Sequence, residues 1–329
     1  MGFRFWYQEF EKEGFIRLGC DKEGKPWMSV DVYPSMGFKT AGLCYKGEWL
    51  QPYQPGWSPL LQKETFGNTV LFPTPNRVRN GVFTFQGRRV EMRKGGILQT
   101  QHGLAQSGFW RVTNLSKAGG EVFISAEFCI CPGDENYQAF PYASRLTVTY
   151  VLTADGLTCR YGVKNLENDA MPFGFGLHPW FLLPKKPEKI SVRVPADYCY
   201  ETTPDLLPTG RMIAVSENKE FDLNEFRPVR NLDLDTVYLT RGREMVICYE
   251  DRGYRLKISQ SSEFMAGVVF TAFNRGMEKT GYEAFCVESQ TCCTDAINMH
   301  EKGFEKSGLM VLKPGQVQEG HVRYTLTDS

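Results

Sequence analysis

Histidine is scarce in this chain, four residues in 329, and so is any imbalance of charge: 38 Lys and Arg stand against 38 Asp and Glu. A formal net charge of zero without a long basic run leaves no electrostatic footprint for nucleic acid, so a polyanionic partner is not expected. Long apolar runs are missing too. The opening stretch MGFRFWYQEFEKEGF carries acids throughout and no apolar segment of signal-peptide length, so neither export nor membrane insertion is expected. Trp6 stands where a myristoylation site needs Ser or Thr. Ten cysteines without an export signal read as reduced, mostly buried thiols, which makes the cytoplasm the expected compartment. Cys129-x-Cys131 and Cys292-Cys293 lack the paired C-x-x-C spacing of structural zinc, and no metal is expected. A glycine-rich phosphate loop and a G-x-S-x-G elbow are absent, as is any apolar stripe at helical spacing longer than a few turns. Strand and helix nowhere alternate, which argues against a doubly wound nucleotide-binding fold.

Period-two alternation is what remains. In RLTVTYVL, Leu146, Val148, Tyr150 and Leu152 share one face while Arg145, Thr147 and Thr149 share the other. Ala154-Asp155-Gly156 then turns into LTCRYGVKN, a hairpin reading. GVFTF turns at Gln86-Gly87 into RRVEM, and EMVICYE turns at Asp251-Arg252-Gly253 into YRLKIS. EVFISAEFCI, ISVRVPADYCY, AGVVFTAF and GHVRYTLTD read as further strands. PKKPEK at 184–189 and PDLLPTG at 204–210 read as surface connections, and no low-complexity linker divides the chain. With 18 prolines and 32 glycines breaking it into short pieces, the chain predicts antiparallel sheets packed face to face, as one β-sandwich domain over 1–329.

Five segments offer chemistry. GFGLHPWFLLP, 174–184, sets His178 among glycines and aromatics; in an extended run, Gly174, Gly176, His178 and Trp180 share a face and leave empty volume beside the imidazole. The plainer alternative is a buried histidine satisfied by backbone groups. FCVESQTCCTDAIN, 285–298, sets Glu288 mid-strand among small or apolar neighbours, where a carboxylate needs a partner unless it sits on an edge facing water. TPNRVRNGVFTFQG, 74–87, puts Asn76 and Arg77 just before a strand, and an arginine fork suits adjacent hydroxyls. QHGLAQSGFW, 101–110, carries His102 ahead of an aromatic pair. NLDLDTVYL, 231–239, carries Asp233 and Asp235 on one expected strand face. Aromatic faces around fixed polar groups are the kind of surface on which a pyranose ring packs.

Taken in order, these segments resemble the aldose 1-epimerase (galactose mutarotase-like) family. The resemblance rests on Asn76-Arg77 with Gly81, Phe83 and Gly87; on His102-Gly103 with Trp110; on His178-Pro179-Trp180-Phe181; on Asp235 with Tyr238; and on Glu288 with Gln290, Asp295, Ala296 and Asn298. It implies the family's large two-sheet supersandwich and interconversion of the α and β anomers of an aldose without metal or organic cofactor. Glu288 would be the general base on the anomeric hydroxyl and His178 the general acid at the ring oxygen. Arg77, His102 and Asp235 would hold substrate hydroxyls, with Asn76 in support and Trp180 beside the sugar.

Opening a hemiacetal ring removes a proton from O1 and delivers one to O5, and both oxygens sit on one carbon. A base and an acid must therefore reach the same small region, each within about 3 Å of its oxygen. An ionised Glu288 and an imidazolium kept charged by it would suit. Gln106 stands where relatives acting on hexose 6-phosphates often carry arginine, which weakens a sugar-phosphate reading while Arg77, Arg79 and Arg111 lie near in sequence. The alternatives are a sugar-phosphate or sulfonated-sugar epimerase on the same fold, and a carbohydrate-binding protein without turnover. The sequence leaves the sugar and the oligomeric state open.

Overall fold

The alternation read from the sequence becomes strands almost throughout the computed structural model, which describes residues 2–52, 67–183, 189–271 and 284–328. EVFISAEFCI forms the strand Glu121–Ile130, with every second residue buried, and it pairs with Ser144–Leu152, which pairs in turn with Gly156–Asn165. These hairpins belong to a nine-stranded antiparallel sheet that faces a twelve-stranded one. The region 184–188 and the ends of AGVVFTAF beyond Thr271 lie outside the described residues. No helix among the described residues is long and apolar enough to cross a membrane.

Between the sheets, Val148 and Tyr150 from one side meet Leu177, Phe181, Phe285 and Val287 from the other, all buried. Tyr161 stacks on Phe175 at 4.0 Å between ring centroids, and the Asn68 amide donates to the Tyr324 hydroxyl at 3.4 Å. Burying this many apolar side chains is the main drive for the sandwich.

One expected strand is two. ISVRVPADYCY splits into Ile190–Arg193, in the nine-stranded sheet, and Tyr198–Thr202, in the twelve-stranded one. Pro195 lies in the crossing, where its missing N–H breaks a ladder. Asp233 is a second difference: it is exposed and precedes the strand Asp235–Leu239, so the two aspartates do not share a strand face.

The part of the larger sheet that matters for chemistry runs, in spatial order, Lys39–Tyr45, Asn68–Leu71, Gly176–Leu182, Ala284–Gln290, Ala266–Thr271 and Asp235–Leu239. Its inner face builds the core just described. Its outer face is covered by the connections that follow these strands and by the short helix Ala296–Glu301, whose Ala296 and Met299 pack with Val237 and Val268.

Candidate active site

Strand register assembles the polar residues of the outer face into two adjoining rows. His178 pairs with Thr69, and the pairing of Leu177 with Ser289 and Trp180 with Cys286 sets His178 opposite Glu288. Glu288 pairs on its other side with Val268, which pairs with Val237. Thr40 pairs with Asn68, so Lys39 falls beside Thr69 at the far end of the same row. The neighbouring row reads Trp180, Cys286, Phe270 and Asp235. Pairing across strands about 4.8 Å apart thus does what sequence distance conceals.

His178 Nε2 lies 3.5 Å from Glu288 Oε1, with the two side chains 7% and 4% exposed. The open alternative of a glutamate on a sheet edge is thereby removed, because its strand is paired on both sides. Gln290 Nε2 donates to Glu288 Oε2 at 2.9 Å. His178 stacks on Trp180 at 5.5 Å and meets the edge of His102 at 5.2 Å.

Burial sets the ionisation. It pushes the Glu288 carboxyl up to about 8; the Gln290 hydrogen bond and the Arg77 charge pull the other way, and Asp235 adds to the rise. Burial also lowers His178 to about 4, helped by the charge of Lys39 and opposed by a backbone hydrogen bond. The 3.5 Å approach has the geometry of an ion pair, yet both directions favour the neutral forms. Burial thus favours the neutral form of each group, whereas the expected carboxylate and imidazolium would have to be stabilised by one another. His102 is held neutral well below its ordinary range, by burial first and then by His178 and Arg77.

The connections that carry Asn76, Arg77 and His102 are tied to one another. Asn76, His102 and Asp295 all have left-handed backbone, φ 56°, 62° and 56°, a conformation that non-glycine residues keep only when their surroundings fix it. Those surroundings are visible: His102 N donates to Asn76 O at 2.7 Å, Asp295 N to Arg77 O at 2.8 Å, and Arg79 N to Asp295 Oδ1 at 3.0 Å. Asn298 completes the tie by donating to Val82 O and accepting from Thr84 N. Arg77 Nη1 in turn donates to Asn76 Oδ1 at 3.2 Å. Gly103 follows His102 with φ 71°, and a Cβ there would collide with the Phe72 carbonyl, so glycine is required twice over.

Two sequence expectations change. Gly174 and Gly176 leave no void: a Cβ on Gly174 would strike Cys292 Sγ and Pro75, and one on Gly176 would lie 3.0 Å from Gln290 Cγ. The glycines admit close neighbours. Arg111 is not near the site but pairs with Glu127 at 2.6 Å in the nine-stranded sheet. Asp235 is half-buried at the end of its row, and its charge reaches Glu288 and Cys286.

Sequence reasoning missed Lys39, Thr69 and Cys286, and it named Gln290 only as part of the motif, without its hydrogen bond to Glu288. Lys39 is only 2% exposed, and burial lowers its ammonium to about 8. A lysine at a strand start ordinarily reads as solvated, so only its register with Thr69 could have exposed it. His178, Cys286 and Glu288 also bring donor atoms within 4.8 Å of one another, the one such grouping among the described residues and close enough to share an ion.

Comparison with known proteins comes to the same place. A family model described as aldose 1-epimerase matches residues 47–325. An uncharacterized Escherichia coli K12 protein, YihR, is 24% identical over 273 residues, 80% of this chain and 81% of its own. A galactose mutarotase-like protein from Clostridium acetobutylicum superposes with a TM-score of 0.83 at 20% identity, covering 99% of each chain. A galactose 1-epimerase from Lactobacillus acidophilus NCFM gives 0.76 at 16% identity over 100% of this chain and 99% of its own. At such identities the structural likeness speaks for the fold.

Proposed function

Since the chain belongs to the aldose 1-epimerase family, we propose that it interconverts the α and β anomers of an aldohexose through Glu288 and His178. The observation that carries this reading is the 3.5 Å approach of His178 Nε2 to Glu288 Oε1 on one buried row. Two groups that close reach two oxygens on one carbon without moving apart.

On this reading the proton shifts from carboxyl to imidazole as substrate binds, leaving a carboxylate beside O1 and an imidazolium beside O5. Glu288 then takes the O1 proton while His178 gives one to O5, the C1–O5 bond breaks, and O1 becomes the aldehyde oxygen. The pair returns to protonated carboxyl and neutral imidazole, the forms that burial favours. The ring-opened intermediate thus coincides with the enzyme's preferred ionisation, which lowers the barrier to opening. Rotation about C1–C2 and reclosure reverse both transfers. No proton enters or leaves overall, so a site closed to water suffices.

Arg77, braced by Asn76, Asp235 and His102 hold hydroxyls on this reading. Neutral His102 serves as donor and acceptor, and its Nδ1 has no hydrogen-bond partner among the described residues. Trp180, stacked on His178, packs beside the ring oxygen. The test is Glu288→Gln, with anomer exchange followed by polarimetry or NMR above the uncatalysed rate. We expect a loss of about 10²-fold or more in kcat, with the circular dichroism spectrum kept. Exchange at the wild-type rate would remove Glu288 from the chemistry, and sugar binding without exchange in the wild type would make this a binding protein.

A further inference from the structure

Cys286 has no part in the anomer-exchange reading, yet it stands two residues before Glu288 on the strand Ala284–Gln290, so both side chains leave the same face of the sheet. Across the ladder Trp180 pairs with Cys286, and His178 stands two residues away, opposite Glu288. The imidazole therefore meets the carboxyl directly and the thiol along the diagonal. His178, Cys286 and Glu288 each bring one donor atom to within 4.8 Å of the others, and all three are buried. The packing partners of Cys286 are Trp180, Ala284 and Phe270, apolar neighbours that ask for bulk and not for sulfur.

The donor set is specific. One imidazole nitrogen, one thiolate sulfur and one carboxylate oxygen are the three kinds of donor that zinc takes, and three protein ligands with a fourth position open is the pattern of a reactive zinc site, not a structural one. Magnesium and calcium call for about six or more oxygens and do not suit a thiolate. Spacing agrees with the chemistry. With Zn–N and Zn–O bonds of about 2.0–2.1 Å, two corners of a tetrahedron stand about 3.3 Å apart. His178 Nε2 and Glu288 Oε1 stand 3.5 Å apart, longer than an ordinary hydrogen bond. A sulfur about 2.3 Å from the ion has to lie about 3.6 Å from both. Starting within 4.8 Å, Cys286 has little distance to close.

Charge balances as well. A divalent ion bound here displaces one proton from the carboxyl and one from the thiol, both to solvent, while the neutral imidazole gives its lone pair. The ion, the carboxylate and the thiolate then sum to zero, so the buried site is as neutral with the metal as with the two protons. We propose that His178, Cys286 and Glu288 form a zinc-type metal site that switches anomer exchange off, because a bound ion occupies both the nitrogen and the oxygen that the reaction needs. The ion is an inhibitor and not a cofactor. The inhibition rests on the anomer-exchange reading; the metal site does not.

The experiment uses the full chain, stripped of metal with a chelator and dialysed free of it. Titrated with cobalt(II) chloride, wild type should bind one ion per chain, with the visible d–d bands of a tetrahedral ion and a thiolate-to-cobalt charge-transfer band in the near ultraviolet. In Cys286→Ala the charge-transfer band should be lost. Zinc chloride should slow wild-type anomer exchange, followed by NMR at sugar well below KM, by about tenfold or more. The zinc concentration that halves the rate should rise about tenfold or more in Cys286→Ala, the equivalent of 1.4 kcal/mol, with each protein compared to its own zinc-free rate. Cys131 is an exposed thiol and a rival ligand. A charge-transfer band that survives in Cys286→Ala, or none in wild type, would therefore overturn the site and leave the mutarotase reading intact. A Cys286-dependent band with exchange undiminished by zinc would overturn the switch and, with it, the role of Glu288 and His178. A wild type that exchanges no sugar would refute the mutarotase reading, and the cobalt spectrum would still decide the site. Should Cys286→Ala fail to fold, Cys286→Ser, whose oxygen gives no such band, takes its place. In wild type zinc should also raise KM without lowering kcat; a lowered kcat at unchanged KM would put the ion away from the sugar and overturn the proposal.

Discussion

The proton shared by Glu288 and His178 has consequences for stability as well as for rate. Glu288 titrates near 4.5 in an unfolded chain and near 8 in the fold, so across that window the native state keeps a proton that the unfolded state has lost. Raising the pH through the window therefore removes stability. His178 works in the other direction: its value drops from 6.5 to about 4, so stability falls as pH drops from 6.5 toward 4. Between about 6.5 and 8 His178 no longer changes, while Lys39, lowered to about 8, begins to add stability only toward the top of the window, so the comparison with Glu288→Gln is what isolates the glutamate. Over that interval wild type should lose at most about 2 kcal/mol from this source, at 1.36 kcal/mol per unit, and Glu288→Gln should lose markedly less. Thermal melts of both proteins at pH 6.5 and 8 check this; equal losses would mean that the carboxyl is already ionised in the fold. Kinetics report the same pair. The one-proton state exists between about 4 and about 8, so kcat/KM for anomer exchange should be level between those limits and fall outside both, with limbs that belong to the pair.

Register and side-chain ties bring the pieces together, and here the sequence was only partly legible. His178 and Glu288 were visible because each breaks an apolar alternation that must be buried, and a buried ionisable group in a strand draws attention. Lys39 was not, because a bulge about 240 residues before Glu288's strand decides which face it takes, and alternation counted back from Tyr45 and Leu43 gives the wrong one. The Asp295-Ala296-x-Asn298 sequence was visible through family likeness, but not its work. Asn298 spans 216 residues to reach the Val82 carbonyl, and Asp295 fixes the backbone on both sides of Val78. These residues act on Arg77 through its main chain. Replacing Asn298 with Ala leaves Val82 O and Thr84 N without that partner at a cost of about 1–3 kcal/mol and lets the 74–87 connection shift. The expected kinetic result is a KM several-fold higher with kcat changed less than twofold, since the Glu288–His178 pair rests on other strands. A drop in kcat comparable to that of Glu288→Gln would place the helix Ala296–Glu301 in the chemistry itself and refute the positioning role.

One sheet serves two purposes across the whole molecule: its inner face carries the apolar core and its outer face the reacting groups. The two-sheet architecture could be read from hairpins alone, because alternation with tight turns admits few other solutions. Which sheet held the site could not, since ISVRVPADYCY changes sheet midway and the pattern looks the same on either side of Pro195. The separation of faces makes stability and rate separable by mutation. Ile258, in Tyr254–Gln260 of the nine-stranded sheet, is fully buried in the core and pairs with Tyr324 and Met245. Its truncation to Ala removes three buried carbons and leaves a cavity the rigid sheets cannot close, at a cost of about 2–5 kcal/mol. Well below the lowered Tm, kcat and KM for anomer exchange should match wild type, because every group assigned to the substrate stands on the other sheet or its connections. Denaturant melts paired with NMR exchange rates at 15 °C test both halves. A variant that stays folded but loses exchange would mean that core packing sets the spacing of Glu288 and His178, and that the two faces are mechanically one.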